Sequence, residues 1–120
     1  HPSANAVAIQ LLVKLYHLTG REELRQQAER SLRLFAETVK GMSIHAGTYF
    51  CALDAWFSTL KLTIEASPGS DLARAAMQLT GPCTVLLYGV DRERIIPCVG
   101  EVCYEPVMHA ADLKRYAAPV

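Results

Sequence analysis

The spacing of apolar residues changes character near residue 60, and that change constrains the fold more than any other feature of the chain. Up to that point apolar side chains recur every three or four positions, the period of a helix. Beyond it come short runs that alternate or are almost wholly apolar, LKLTIEA, CTVLLYG and RIIPCV, which is how strands read. A chain with these two habits in this order is expected to form helices first and a small sheet second, an α+β fold. We place the helical segment at 1–60 and a small α/β segment at 61–120.

Pro2 and Ser3 precede ANAVAIQLLVKLYHL, in which Val7, Leu11, Leu12, Leu15 and Leu18 share helical spacing. Gly20 breaks that pattern. Thr19 and Glu22 fit a capping box, in which a hydroxyl and a carboxylate satisfy the free amides of a helix start. A second helix is expected from about Arg21 to Lys40, with Leu24, Ala28, Leu32, Phe35 and Val39 inward and charge outward. A turn this short makes the two helices antiparallel neighbours. Gly41 ends the second, and Ser43 is placed to cap a third over IHAGTYFCALDAWFSTL. Tyr49, Leu53, Trp56, Phe57 and Leu60 form the third helix's apolar face.

The second half reads strand, helix, strand, strand, then a short helix near HAADLKRY. LKLTIEA alternates as a half-buried strand does. Ser70 is positioned to cap the helix DLARAAMQL, which Gly81 and Pro82 end. CTVLLYG is nearly all apolar, as in a strand buried on both faces. RIIPCV follows VDRE closely enough to suggest a hairpin with it. Strand-helix-strand implies a right-handed parallel crossover, with the third strand added antiparallel.

Charge excludes some classes of partner. Lys plus Arg and Asp plus Glu both number 12, so no net field exists to draw nucleic acid or an anionic membrane. No apolar run approaches the roughly 20 residues of a membrane-spanning helix, and no basic start with an apolar stretch marks a signal peptide. The cytoplasm is therefore expected rather than secretion. The chain begins His-Pro without Met and reads as a processed product or a piece of a longer protein, which leaves a removed targeting signal open. Four cysteines do not make a disulfide scaffold at this length. Cys51 and Cys83 sit in apolar patterns and read as core thiols.

Cys98 and Cys103 are the first candidates for chemistry. Their C-x4-C spacing is neither the C-x-x-C of thioredoxin nor a usual zinc spacing. Residues five apart on one straight strand face opposite ways. A turn at Val99-Gly100-Glu101 would fold the thiols together, within reach of a disulfide. Three readings stay open: structural thiols at a hairpin edge, a structural or reversible disulfide, and a metal site with His109 as third ligand. Arg92 and Arg94 are the basic residues that would activate a thiol if the fold brought them near. His45 and Tyr49 share a helical face and, with Asp54, raise acid/base chemistry, although Asp54, five beyond Tyr49, is off that face by spacing. The alternative is a first-turn histidine and a core-edge tyrosine. His17, near the end of the first helix, reads as structural. Glu22 and Glu23 belong to a solvated surface rather than a glycosidase cleft. No phosphate-binding glycine loop, HExxH or GxSxG occurs, and neither cofactor nor metal is expected.

The residues PSANAVAIQLLVKLYHLTGREELRQQAERSLRLFA resemble a stretch near the C-terminal end of the thioredoxin-domain-containing family that includes spermatogenesis-associated protein 20. In that family Glu-Pro-Ser-Gly-Asn-Ser opens a long helix leading to Leu-Thr-Gly. Pro2, Ser3, Asn5 and Leu18-Thr19-Gly20 agree, whereas His1 stands for the Glu and Ala4 for the Gly. YFCALDAWF is similar to the family's helix with Ala-Leu-Asp. PCVGEVCYEPVMHAADL is similar to its close, where two cysteines separated by four residues precede Pro-Val and a last helix; Cys98, Cys103, Pro106, Val107 and Leu113 fit.

The resemblance implies a fragment of a longer protein with a thioredoxin-like domain absent here. It also implies an α/α toroid related to N-acylglucosamine epimerases and six-hairpin glycosidases, which the first three helices would end. Ser3 and Asn5 would then face the toroid's cavity and hold a sugar hydroxyl or an anion, with His1 beside them; the alternative is that Ser3 caps the helix and Asn5 lies in its first turn. A toroid's active site draws on helices all around the ring, so this portion is expected to be non-catalytic alone. Its expected partners are the remainder of the parent chain and, through uncovered helix faces, a second copy. The alternatives are a thiol redox module using Cys98 and Cys103 and a helical interaction module.

Overall fold

A computed structural model describes residues 2–39, 46–81 and 83–117. Its elements run α1 (Pro2–Thr19), α2 (Glu22–Val39), α3 (Ala46–Ser58), β1 (Leu60–Glu65), α4 (Asp71–Met77), β2 (Thr84–Tyr88), β3 (Arg94–Val99) and β4 (Val102–Cys103). A 3-10 helix follows over Ala110–Tyr116. This is the α+β order expected from the change of apolar period. The chain forms two compact units, His1–Thr59 and Leu60–Val120.

In the helical unit, α1 packs against both α2 and α3. Ala6, Ile9 and Val13 of α1 meet Ala28, Leu32 and Phe35 of α2 and Ala52 of α3 in one buried cluster. Of the face expected on α2, Ala28, Leu32 and Phe35 are buried. The face of α1 is not the expected one: Val7, Leu11 and Leu18 are 62%, 56% and 45% exposed. α1 is apolar on two sides, and the side with Ala6, Ile9 and Val13 is the one buried against α2 and α3. On α3, Ala52 and Ala55 are buried and Phe57 is exposed, while Leu60 belongs to β1. Cys51 is exposed and Cys83 half-buried, so neither is the core thiol expected. The guanidinium of Arg25 lies 5.4 Å from the Trp56 ring centroid and ties α2 to α3.

Gly20 ends α1 as expected. Its φ of 71° is the left-handed conformation that glycine adopts without strain, and its N–H donates to the Tyr16 carbonyl. The capping box does not form. Thr19 remains in α1, its hydroxyl donating to the Leu15 carbonyl and accepting the Arg21 N–H. α1 begins at Pro2, a residue suited to the first helical position. Gly41, Ser43 and His45 lie outside the described residues.

The second unit is a four-stranded sheet in the order β2-β1-β3-β4. β1 and β2 are parallel and joined through α4, as the strand-helix-strand pattern requires. Ser70 caps α4, its hydroxyl accepting the Ala73 N–H. β3 corrects the expected hairpin: it pairs antiparallel with β1, not with β2. The connecting segment crosses the end of β1, where the Gly89 and Arg92 amides donate to the Ile64 and Glu65 carbonyls. β1 is thereby flanked on both edges, by β2 and β3. β2 is left at the sheet's edge, with Val85 its one buried residue, contrary to the expectation of burial on both faces.

Register assigns the faces. Leu60, Leu62 and Ile64 lie opposite Val99, Pro97 and Ile95. With Leu72, Ala73 and Ala76 of α4, Val107, and Leu113 of the 3-10 helix, they build the core. The other face carries Lys61, Thr63, Glu65, Arg94, Ile96 and Cys98. There Arg94 Nε donates to Glu65 Oε1 at 2.6 Å, an ion pair mostly withdrawn from solvent.

Candidate functional site

The turn from β3 to β4 makes the cysteine pair. Two residues, Gly100 and Glu101, connect the strands, and only Gly100 has positive φ, 58°. Glycine at the first position of a two-residue loop is the signature of a type II′ turn, whose twist suits a hairpin. This fixes Val99 opposite Val102 and Cys98 opposite Cys103. The Tyr104 N–H donates to the Pro97 carbonyl. Hydrogen bonding alternates along an antiparallel ladder, so Cys98 and Cys103 form a non-hydrogen-bonded pair, the geometry that brings side chains closest. The two sulfurs are bonded, with the Cα atoms 3.9 Å apart. Of the three readings open from the sequence, the bonded pair is the one that forms.

Pro97 also explains why β4 is only two residues long. It has no N–H to offer the Tyr104 carbonyl, so the ladder stops there. Pairing resumes only where Ile95 and Val107 exchange hydrogen bonds of 2.9 and 2.7 Å. Between those contacts Glu105 and Pro106 stand opposite Ile96 alone, two residues against one, which is a bulge.

The two cysteines differ in environment. Cys98 lies in β3, inside the sheet, and is 3% exposed; Cys103 lies on the edge strand β4 and is exposed. On its other side Cys98 faces Lys61 of β1, its register partner. The basic residues singled out from the sequence are elsewhere. Arg94 is bound to Glu65, and Arg92 lies in the crossing loop. Lys61 was missed because its place opposite Cys98 depends on β3 pairing with β1. Its only sequence signal is the alternation of LKLTIEA, which turns Lys61 away from the Leu60, Leu62, Ile64 face.

Of the remaining candidates, Asn5 and Asp54 have described side chains. Asn5 is exposed on α1, at the rim of a cavity of about 180 Å³ lined also by Ala8, Ile9, Ser31, Leu34 and Phe35. That is smaller than the roughly 300–1,000 Å³ of small-molecule pockets. Asp54 is exposed. His45 and the side chains of Ser3 and Tyr49 lie outside the described residues. Glu22 and Glu23 pair with Arg25 and Arg21 at 3.2 and 2.7 Å on the surface. The Glu23 carboxyl is held below its ordinary value, first by its own backbone N–H and then by Arg21.

The sequence reading also missed a cleft of about 560 Å³ in the sheet unit. Tyr104, Glu105, His109, Asp112, Arg115 and Tyr116 line it, the two tyrosine rings 6.2 Å apart. Its charged lining is two carboxylates, Glu105 and Asp112, and one guanidinium, Arg115. Tyr104 lies opposite Pro97, on the core face of the sheet, whereas the disulfide lies on the other face. His109 does not join the cysteines as a ligand: their sulfurs are bonded to each other, and among the described residues no group of three His, Cys, Asp or Glu could hold a metal. Among them, too, no helix is long and apolar enough to cross a membrane. No family model, curated protein or solved structure matches this chain.

Proposed function

We propose that this chain is the C-terminal portion of a protein of the thioredoxin-domain-containing family, its helices ending an α/α toroid, and that it is not a complete catalyst alone. The motif resemblance supports this reading, and one structural observation carries it: α1 has two apolar faces. Ala6, Ile9 and Val13 are buried against α2 and α3, while Val7, Leu11 and Leu18 form a second stripe that faces solvent. Residues at this spacing lie within about 40° of one another around a helix and run for roughly 16 Å along it. A helix that is apolar all round is built to be covered on both sides. Helical hairpins arrayed in a ring have neighbours on both sides and meet that requirement.

The natural cover for the stripe is the remainder of the parent chain; in its absence a second copy takes that place. Light scattering at low micromolar concentration should report a dimer. Val7→Glu with Leu11→Glu should return it to a monomer with unchanged helix content. A wild-type monomer, or a dimer indifferent to both charges, would overturn this reading of α1. Turnover of an N-acyl sugar epimerisation or a glycoside hydrolysis by this chain alone would overturn the claim of incompleteness.

We also propose a second role, favoured by the Cys98–Cys103 bond: a thiol module that cycles between dithiol and disulfide and serves a thioredoxin-like domain of the parent. Alkylation followed by intact-mass measurement, with and without reductant, tests it. Full alkylation of both thiols in untreated protein, with no oxidised form that can be trapped, would exclude it.

A further inference from the structure

We infer that the Cys98–Cys103 bridge is chemically polar: an incoming thiol attacks Cys103, which becomes the site of mixed-disulfide modification, and Cys98 is the leaving group, beside Lys61. This rests on the thiol-module reading and adds direction to it.

Three observations assign the direction. First, access: Cys103 is exposed on the outermost strand, whereas Cys98 is buried in the strand between β1 and β4. Second, trajectory. Thiol–disulfide exchange is an in-line displacement, so the attacker approaches a sulfur from the side away from its bonded partner. For Cys103 that side is the open edge of the sheet beyond β4. For Cys98 it is the β1 side, where the Lys61 side chain stands in register on the same face. Third, charge. Side chains directly opposite each other on neighbouring strands have Cβ atoms about 5 Å apart. Lys61 therefore carries its ammonium on a flexible four-carbon stem rooted about 5 Å from the Cys98 Cβ, within reach of the sulfur on which negative charge develops, and an adjacent cation stabilises a thiolate.

The step balances with a thiol as the only co-reactant. A thiolate RS⁻ donates its electron pair to Cys103 Sγ, the S–S bond breaks, and its electron pair leaves on Cys98 Sγ. The products are RS–S–Cys103 and the Cys98 thiolate, which takes a proton from solvent. A second RS⁻ then attacks the R sulfur, releasing RSSR and the Cys103 thiolate. In total two thiols are oxidised and the bridge is reduced. The reverse sequence, beginning with Cys103 thiolate on RSSR, re-forms the bridge.

Reduced glutathione is the probe. The chain carrying Cys51→Ser and Cys83→Ser, which leaves only the pair, is exposed briefly to glutathione, quenched with a maleimide, digested and mapped by mass spectrometry. Glutathione on Cys103 with maleimide on Cys98 is the expected pairing, in excess over the opposite one by about tenfold or more, since exchange follows access to the attacked sulfur. Adding Lys61→Met should slow bridge opening about three- to tenfold at neutral pH, and Lys61→Arg should restore it, because the effect is that of a neighbouring cation. Lys61→Met should leave the maleimide reactivity of Cys103 unchanged in a Cys98→Ser chain, where Cys98 no longer leaves. Glutathione mapped to Cys98, or evenly to both, would overturn the assigned direction while leaving the thiol module standing. A bridge that opens equally fast without Lys61 would remove that residue's role. A bridge that glutathione and dithiothreitol both fail to open in the folded chain would overturn the module and the direction together.

Discussion

Reducing the Cys98–Cys103 bond should loosen the sheet unit by about 2 kcal/mol and leave it folded. The two residues are only five apart in sequence, so the bridge closes a short loop. In the chain-entropy account, restricting so short a loop in the unfolded chain is worth about 7 cal/mol/K, or about 2 kcal/mol at 25 °C. The core does not depend on it. Leu62, Ile64 and Ile95 are fully buried, and β1 and β3 pair over six positions against two for β3 and β4. Truncating one such core side chain costs about as much as opening the bridge, or up to twice that. The assay is amide hydrogen exchange by NMR, on the chain with and without reductant. The Ile95 N–H, bonded to the Val107 carbonyl at 2.9 Å, reports opening of the sheet; the Tyr104 N–H, bonded to Pro97, reports the hairpin. A change of 2 kcal/mol is about 30-fold in an equilibrium constant, so Ile95 should exchange about 30-fold faster in the reduced chain. Acceleration at Tyr104 with Ile95 unchanged would refute the entropic argument, for the bridge would then act on the native hairpin alone. Loss of protection throughout β1 and β3 would show that the bridge, rather than the Leu62–Ile64–Ile95 core, holds the unit together.

Leu62→Ala should cost about 2–5 kcal/mol in urea unfolding of the sheet unit, because the residue is fully buried where β1 meets α4; a loss under about 1 kcal/mol would mean that the site collapses around the change. Ser70→Ala removes the acceptor for the Ala73 N–H and should cost about 1 kcal/mol by the same measurement, with Ser70→Thr recovering most of it. Pro97→Val supplies the missing donor opposite the Tyr104 carbonyl, so the new amide should be protected from exchange and the β3–β4 ladder should lengthen; free exchange of that new amide would refute the explanation of the short strand. Glu23 should titrate below an ordinary glutamate by NMR, and Arg21→Gln should raise it only part of the way, since its own backbone N–H is the larger cause. Its folded pKa lies below its unfolded one. Any stability it lends to the start of α2 is therefore present above the unfolded pKa and is lost as pH falls through the folded one.

What was legible in the sequence follows from how local each feature is. The inward face of α2 was readable because charge occupies the other side, leaving Ala28, Leu32 and Phe35 a single way to turn. α1 offered two apolar stripes, and periodicity cannot choose between them. The choice is made by where α2 and α3 pack, which is a matter of tertiary contact rather than of local sequence. The sheet divides in the same way. The Ser70 cap, the parallel crossover and the Gly100 turn are contained in short segments, and all three were readable. Which edge of β1 receives β3 is a long-range matter: the loop over 89–93 satisfies the last carbonyls of β1 and so carries the chain past it. Cys98 meets both situations at once. Its partner across the turn, Cys103, is five residues away and could be read from Gly100; its partner on the other side, Lys61, is brought there by strand order alone. The bond was thus available to sequence reasoning, while the asymmetry that gives the bond a direction belongs to the tertiary fold.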